Sequence, residues 1–210
     1  MRKLLLFFLF FGLLFIGAGQ YLFAQSEQVR HFTYKAVYGQ HNIPAAFIPI
    51  YQEAGETYNI PWKLLASVHR VETIFSKMDQ LESPVGAVGH FQFMPRTWVG
   101  WTYPGTDVGG IDEDVDITDL ALIAEHQGYG VDATGNGKAD PFDLYDATFS
   151  AAKYLADHGA ADGDLEKALF AYNKSEAYVL EVMSFYESYQ DHYNPITFPF
   201  DQNPYEHASE

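Results

Sequence analysis

Cysteine is absent from the 210 residues. Disulfides, thiolate-bound zinc and a cysteine nucleophile are therefore excluded together. Basic residues are scarce, with 12 Lys and Arg against 28 Asp and Glu and a formal net charge of −16. That balance repels nucleic-acid phosphates and leaves no basic patch for docking on anionic lipid. No H-E-x-x-H or comparable zinc spacing appears, so His69 and His90 read as polar neighbours of a site rather than metal ligands. Internal repeats and low-complexity runs are also lacking. Trp is rare within an aromatic share of 17%, and composition alone assigns those rings to core packing.

One long hydrophobic run is present, at the N-terminus. Arg2 and Lys3 precede an apolar stretch from Leu4 to Ala24, interrupted only by Gln20 and Tyr21. A basic start followed by such a run is the form of an export signal, and about 20 apolar residues suffice to span a bilayer. Neither Gly17 and Gly19 nor Leu22 and Ala24 make a clean peptidase site. The expectation is an uncleaved anchor, with secretion after cleavage as the alternative. The positive-inside rule then puts Arg2 and Lys3 in the cytoplasm and the remainder outside. The expected divisions are residues 1–25 as anchor or signal, 26–42 as a polar spacer, 43–192 as the domain and 193–210 as an irregular tail.

Within the domain the patterning is helical, and a mostly α fold of about six helices is expected. Ile43 and Pro44 read as the opening of a helix that breaks at Gly55 to Ile60. Pro61 starts the next, whose face carries Trp62, Leu65, Val68 and Glu72. Asp79 to Thr106 is a Gly- and Pro-rich loop with a short helix after Pro95. Asp116 is expected to cap a helix to His126. Asp143 or Asp146 caps another to His158, Asp164 a third, and Ser175 opens the last. That last helix turns Val179, Val182, Met183 and Tyr186 inward.

Glu72 is the residue that breaks the pattern. It extends an apolar stripe, where a charged carboxyl is costly. Burial raises a carboxyl's pKa, so such a group can keep a proton near neutral pH and act as a general acid. Glycosidic cleavage needs that proton on the leaving oxygen. From spacing alone, a helix-end Glu paired with Arg70, Lys77 or Arg96 is the plainer reading, although Arg70, two positions away, faces elsewhere. No second carboxylate can be assigned to it; Asp79, Glu82 and Asp112 to Asp116 are the candidates.

The stretches HRVETIF, SPVGAVGHFQFMPRTW, VDATGNGKADPFDLYDATFSAAKYLADHG and AYNKSEAYVLEVMSFYESY occur in that order between Ile43 and Tyr189. Together they resemble the lytic transglycosylases of the lysozyme-like superfamily. The pattern is most similar to exported Gram-positive enzymes and to the membrane-bound lytic transglycosylase B type. The resemblance implies a lysozyme-like α-helical domain with long cleft-forming loops, and a catalytic acid/base at Glu72. Thr73 stands where these enzymes commonly carry Ser. Gly86, Gly89, Gln92, Met94 and Pro95 match their G-x-x-G-x-x-Q-x-M-P, and Ala171, Tyr172 and Asn173 match their A-Y-N. It further implies that Thr73, Ser83, Gly89, Gln92, Phe93, Met94, Tyr172 and Asn173 contact substrate, with Tyr172 approaching the catalytic carboxyl. The implied reaction cuts peptidoglycan between N-acetylmuramic acid and N-acetylglucosamine, leaving a 1,6-anhydro end. The implied partner is the glycan strand, met by a monomer, with no cofactor required for the chemistry. A hydrolytic lysozyme and a non-catalytic peptidoglycan-binding protein are the alternatives.

Asp132 to Asp143 follows the spacing of a calcium loop. Ligands fall on Asp132, Thr134, Asn136, the Lys138 carbonyl, Asp140 and Asp143, with Gly137 at the turn. Thr134 is a weak ligand there, and Asp143 is shorter than the usual Glu. A Gly/Asn turn leading into an Asp helix cap is the plain alternative. The transglycosylase B type carries a calcium loop in a comparable place, so the resemblance implies a structural Ca²⁺.

Overall fold

The computed structural model describes residues 21, 26–78 and 80–197, in two compact units, 1–39 and 40–210. The expected membrane segment, Leu4 to Ala24, lies outside the described residues except for Tyr21. Among the described residues no helix is long and apolar enough to cross a membrane. In the first unit, α1 spans Glu27–Tyr38, with the Ser26 hydroxyl accepting from the Val29 amide. The stretch expected as an irregular spacer is thus helical, started by that cap.

The second unit begins with β1, Asn42–Pro44, and a 3-10 turn, Ala45–Phe47; a second 3-10 turn spans Ala160–Asp162. Its helices are α2 (Ile48–Tyr58), α3 (Trp62–Thr73), α4 (Pro95–Val99), α5 (Leu120–His126), α6 (Leu144–Asp157), α7 (Leu165–Tyr172) and α8 (Glu176–Asp191). The fold is mostly α. Strand β2, Asn194–Ile196, returns to pair in parallel with β1, so the start of the tail wraps back onto the domain.

Several boundaries differ from the sequence expectation, each for a local reason. Pro44 closes a strand, and it is Pro49 that occupies the first turn of α2. Gly55 lies inside α2 rather than breaking it. A Cβ there would stand 2.9 Å from the Ile60 carbonyl and 3.1 Å from the Trp62 Cβ, so glycine permits the close return of the chain. Asp119, not Asp116, caps α5, while Asp116 accepts from the Thr118 amide and hydroxyl. Asp143, Asp164 and Ser175 cap α6, α7 and α8 as expected.

Helix α3 is the centre of the domain. It packs on α8, α2 and α6, and α7 bridges α6 and α8. Leu64, Leu65, Ala66 and Val68 are fully buried along it. Burying each large side chain stabilises by about 1.5–3 kcal/mol relative to exposure. That packing fixes where the helix ends, and so where Glu72 stands.

Candidate active site

The end of α3 is unusual. Ile74, Phe75 and Ser76 follow with φ of 51°, 57° and 65°. Three consecutive non-glycine residues in the left-handed region cost about 1–2 kcal/mol each. The turn is held by amide bonds from Ile74 to Arg70 and from Lys77 to Thr73, and by the Ser76 amide donating to the Thr73 hydroxyl oxygen. Its effect is to stop the helix at Thr73, one residue after Glu72, and reverse the chain, leaving the carboxyl in the last turn.

Glu72 keeps some solvent access but is closely surrounded. The Tyr178 hydroxyl, from α8, donates to its Oε1 at 2.7 Å. Burial pushes the Glu72 carboxyl up from 4.5 to about 7; the Tyr178 bond opposes this, and the Glu181 charge adds to the rise. The Tyr178 ring is almost parallel to that of Tyr172, 4° apart in plane with centroids 6.5 Å apart. Burial, then the Glu72 charge, pushes both phenols up, so they act as neutral donors.

Tyr172 therefore belongs to the site, but its role differs from the expectation. Its hydroxyl donates to the Phe91 carbonyl at 2.7 Å, and Tyr178 makes the bond to the acid. Tyr172 thereby ties α7 to the Gly-rich loop beside Gln92. Phe93 and Tyr154 meet its ring edge-on at 5.5 and 5.2 Å.

The loop is a small antiparallel device, with Val88 bridged to both Glu82 and Phe93. Gly89 is required there on two counts. Its φ is +79°, and a Cβ would lie 2.0 Å from the Pro141 carbonyl oxygen. Gly86, at φ +84°, has nothing near it and serves only the turn. Gln92 takes φ 51°, and its side-chain amide donates to the Gly89 carbonyl. Among the described residues no donor meets the Gln92 side-chain carbonyl oxygen. Ser83 accepts from the Ala87 amide through its hydroxyl and so closes the turn.

Not every expected contact residue is placed to meet a ligand. Thr73 is fully buried, and its hydroxyl donates to the His90 carbonyl at 2.9 Å; it positions the loop. Phe93 is 4% exposed and supports Tyr172 from behind. Gly89 is buried against Pro141. Met94 is partly exposed and packs where a Gly109 side chain would be. Asn173 is exposed just beyond α7, with its carbonyl accepting from the Ser175 amide.

Tyr178 and Glu181 are the site residues that sequence reasoning missed. A signal existed for Tyr178: it precedes Val182 by four, Phe185 by seven and Tyr189 by eleven, one helical stripe. Of the carboxylate candidates, Asp79 lies outside the described residues, and the carboxylate whose charge adds to the rise of the Glu72 pKa is Glu181, which was not among them.

Behind the acid runs a chain of hydrogen bonds. The Tyr51 hydroxyl meets His69 Nδ1 at 2.7 Å, and His69 Nε2 meets the Ser76 hydroxyl at 2.8 Å. Ser76 meets His90 Nδ1 at 2.7 Å, and His90 Nε2 donates to the Phe142 carbonyl at 2.8 Å. Burial pushes both imidazoles down, so they are neutral connectors that fasten α2, α3 and the Gly-rich loop together.

The Asp132 to Asp143 loop carries only oxygen donors, which suits a hard divalent cation. Its carboxylates, however, are spent on backbone. Asp132 accepts from the amides of Gly135, Asn136 and Gly137. Desolvation raises its pKa, but those donors together hold it below the usual range. Asp143 caps α6, and Asp140 accepts from the Phe142 amide. Asp146, fully buried, accepts from Ala133, Thr134 and Asp140 and anchors the loop from within. Among the described residues no group of three or more His, Asp or Glu is gathered to hold a metal ion.

No protein-family model matches this chain, and no curated protein or solved structure matches it.

The raised Glu72 pKa sets a stability cost with a definite sign. The unfolded chain loses this proton near 4.5 and the folded one near 7, so stability falls as pH rises through that window. Glu72→Gln should therefore match the wild type in urea unfolding at pH 4. At pH 8 it should be more stable by up to about 3 kcal/mol. A variant no more stable than wild type at pH 8 would refute the burial of the acid.

Proposed function

We propose that the chain is a peptidoglycan lytic transglycosylase with a lysozyme-like domain and Glu72 as its only acid/base. The observation that carries this reading is the Glu72 carboxyl, protonated up to about pH 7 by burial and held by Tyr178 beside the Gln92 loop. The sequence resemblance supplies the substrate class. Protonated Glu72 donates to the oxygen between N-acetylmuramic acid and N-acetylglucosamine, and the bond from that oxygen to C1 breaks. The substrate's acetamido oxygen stabilises C1. The Glu72 carboxylate then takes the proton of the C6 hydroxyl of the same muramic sugar, and O6 closes on C1. No water enters the product. Tyr178 holds the carboxyl through both halves, because its own proton is retained at neutral pH.

A hydrolytic lysozyme is the second reading; it needs a second carboxylate near Glu72, and Glu181, whose charge acts on Glu72, is the candidate for it. In the first reading the enzyme is anchored outside the cytoplasmic membrane by Leu4 to Ala24, acts as a monomer on glycan strands and does not engage nucleic acid. Mass spectrometry of digested peptidoglycan separates the two. The transglycosylase reading predicts muramic ends one water lighter than hydrolysis gives. Fully hydrated ends would overturn it in favour of the lysozyme.

We also propose a structural Ca²⁺ on Asp132 to Asp143, on the strength of the ligand spacing. Binding requires Asp132 to turn an oxygen away from its amides, so affinity should be weak. Calcium at millimolar concentration should raise the melting temperature of the chelator-treated protein, and Asp132→Asn should abolish the shift. No shift in the wild type would remove the metal.

A further inference from the structure

An open cavity of about 560 Å³ lies between α5 and α6, and none of the residues around Glu72 lines it. Two glycines on its wall, Gly128 and Gly130, bring the chain flat onto α4. A Cβ at Gly128 would stand 2.2 Å from the Trp98 carbonyl oxygen, and one at Gly130 2.7 Å from the Trp98 indole nitrogen. The amides of Tyr129 and Gly130 donate to the Thr97 and Trp98 carbonyls across that contact. Leu120 and Ile123 of α5 give the cavity an apolar side. Lys153 of α6 gives it a charge. This side chain is half-buried, with Nζ 5.5 Å from the centroid of the Tyr129 ring. It donates to the Gly128 carbonyl at 2.9 Å. An ammonium carries three donors, and among the described residues that carbonyl is the only acceptor meeting it. Desolvation pushes the Lys153 pKa down, and the Asp157 charge opposes this. A cation partly withdrawn from water without a bonded carboxylate is costly, and an anionic ligand would relieve the cost.

We propose that this cavity binds a peptide with a free terminal carboxylate: Lys153 is its counter-ion, Leu120 and Ile123 take small aliphatic side chains, and Asp157 takes a side-chain amine. Within the transglycosylase reading, on which this rests, that peptide is the stem carried by muramic acid, which ends in alanine and contains a diamino residue. Lys153 and Asp157 are one turn apart on α6 and both line the cavity, an arrangement that suits a ligand carrying both charges. Asp157 is exposed, so its repulsion of the carboxylate passes largely through water, whereas Lys153 is half-buried and its attraction is screened less. A row of tyrosines relates the cavity to the acid. The Tyr129 ring meets Tyr154 at 4.7 Å, Tyr154 meets Tyr172 at 5.2 Å, and Tyr172 stacks at 6.5 Å on Tyr178, whose hydroxyl holds Glu72. Tyr129, Tyr154 and Tyr172 all keep some exposure. A five-residue stem, extended at about 3.3–3.6 Å per residue, is long enough to cover those three steps.

The test is calorimetric titration of the full chain with a synthetic stem pentapeptide, lysine at its third position and D-alanine at its last two. The probe contains no sugar, so cutting does not enter the measurement. Saturable binding at millimolar concentration or below is expected, weakened about tenfold by amidating the terminal carboxylate. Lys153→Met should weaken the acid by the same factor and leave the affinity for the amide unchanged. Asp157→Asn should weaken the peptide only while its lysine amine is free, and acetylating that amine should erase the difference. Equal affinity for acid and amide would overturn the proposal, and so would the absence of binding. An equal loss of both peptides in Lys153→Met would make the lysine a support for Gly128 alone, and would overturn it as well. The comparison of acid with amide uses the wild-type protein, so it decides the matter even where a variant fails to fold. Undiminished cutting of peptidoglycan by Glu72→Gln would instead sink the reading of the acid, a result separate from the peptide titration.

Discussion

The hydrogen bond from Tyr178 to Glu72 joins the two halves of this domain at the point where its chemistry is proposed to occur. Glu72 lies in the last turn of the central helix; Tyr178 is in the first turn of the helix packed against it. Two opposed effects meet in that bond. Burial favours the neutral carboxyl strongly, and the phenol favours the charged form, with burial the larger. A carboxyl balanced this way can give up a proton and take one back near neutral pH, as a lone acid/base must.

The surroundings serve to hold that balance in place. Three left-handed residues stop α3 after Thr73, one residue beyond Glu72. Such a turn persists only where neighbouring structure over-determines it. Here the Tyr51–His69–Ser76–His90 chain passes directly through it, and Thr73 reaches from the helix end to the His90 carbonyl. Gly89 lets the next loop lie against Pro141, and Tyr172 ties the same loop to α7. The strain, the histidines and the glycine are parts of one clamp on the helix end.

Much of this was legible in the sequence. The stripe of Leu65, Val68 and Glu72 announced a carboxyl on an apolar face, and Asp143, Asp164 and Ser175 announced their caps. The mostly helical architecture followed from the same periodicity. The end of α2 was not legible: Gly55 lies inside the helix where the returning chain needs the space a side chain would fill, a fact no local propensity carries. Nor was the division of labour among tyrosines. Tyr172 and Tyr178 are both aromatic residues on packed faces, and only the placement of α7 against α8 decides which hydroxyl reaches Glu72. Thr73 likewise reads as a polar residue beside a catalytic one, and its full burial emerges only from the turn that follows.

The central claim is that Glu72 holds its proton up to neutral pH. It can be measured directly by following the side-chain carboxyl carbon of ¹³C-glutamate-labelled protein through a pH titration, with Glu72→Gln assigning the resonance. The expected midpoint lies near 7. A midpoint at the ordinary 4.5 would contradict it, because the residue would then be charged at neutral pH and unable to serve as the acid.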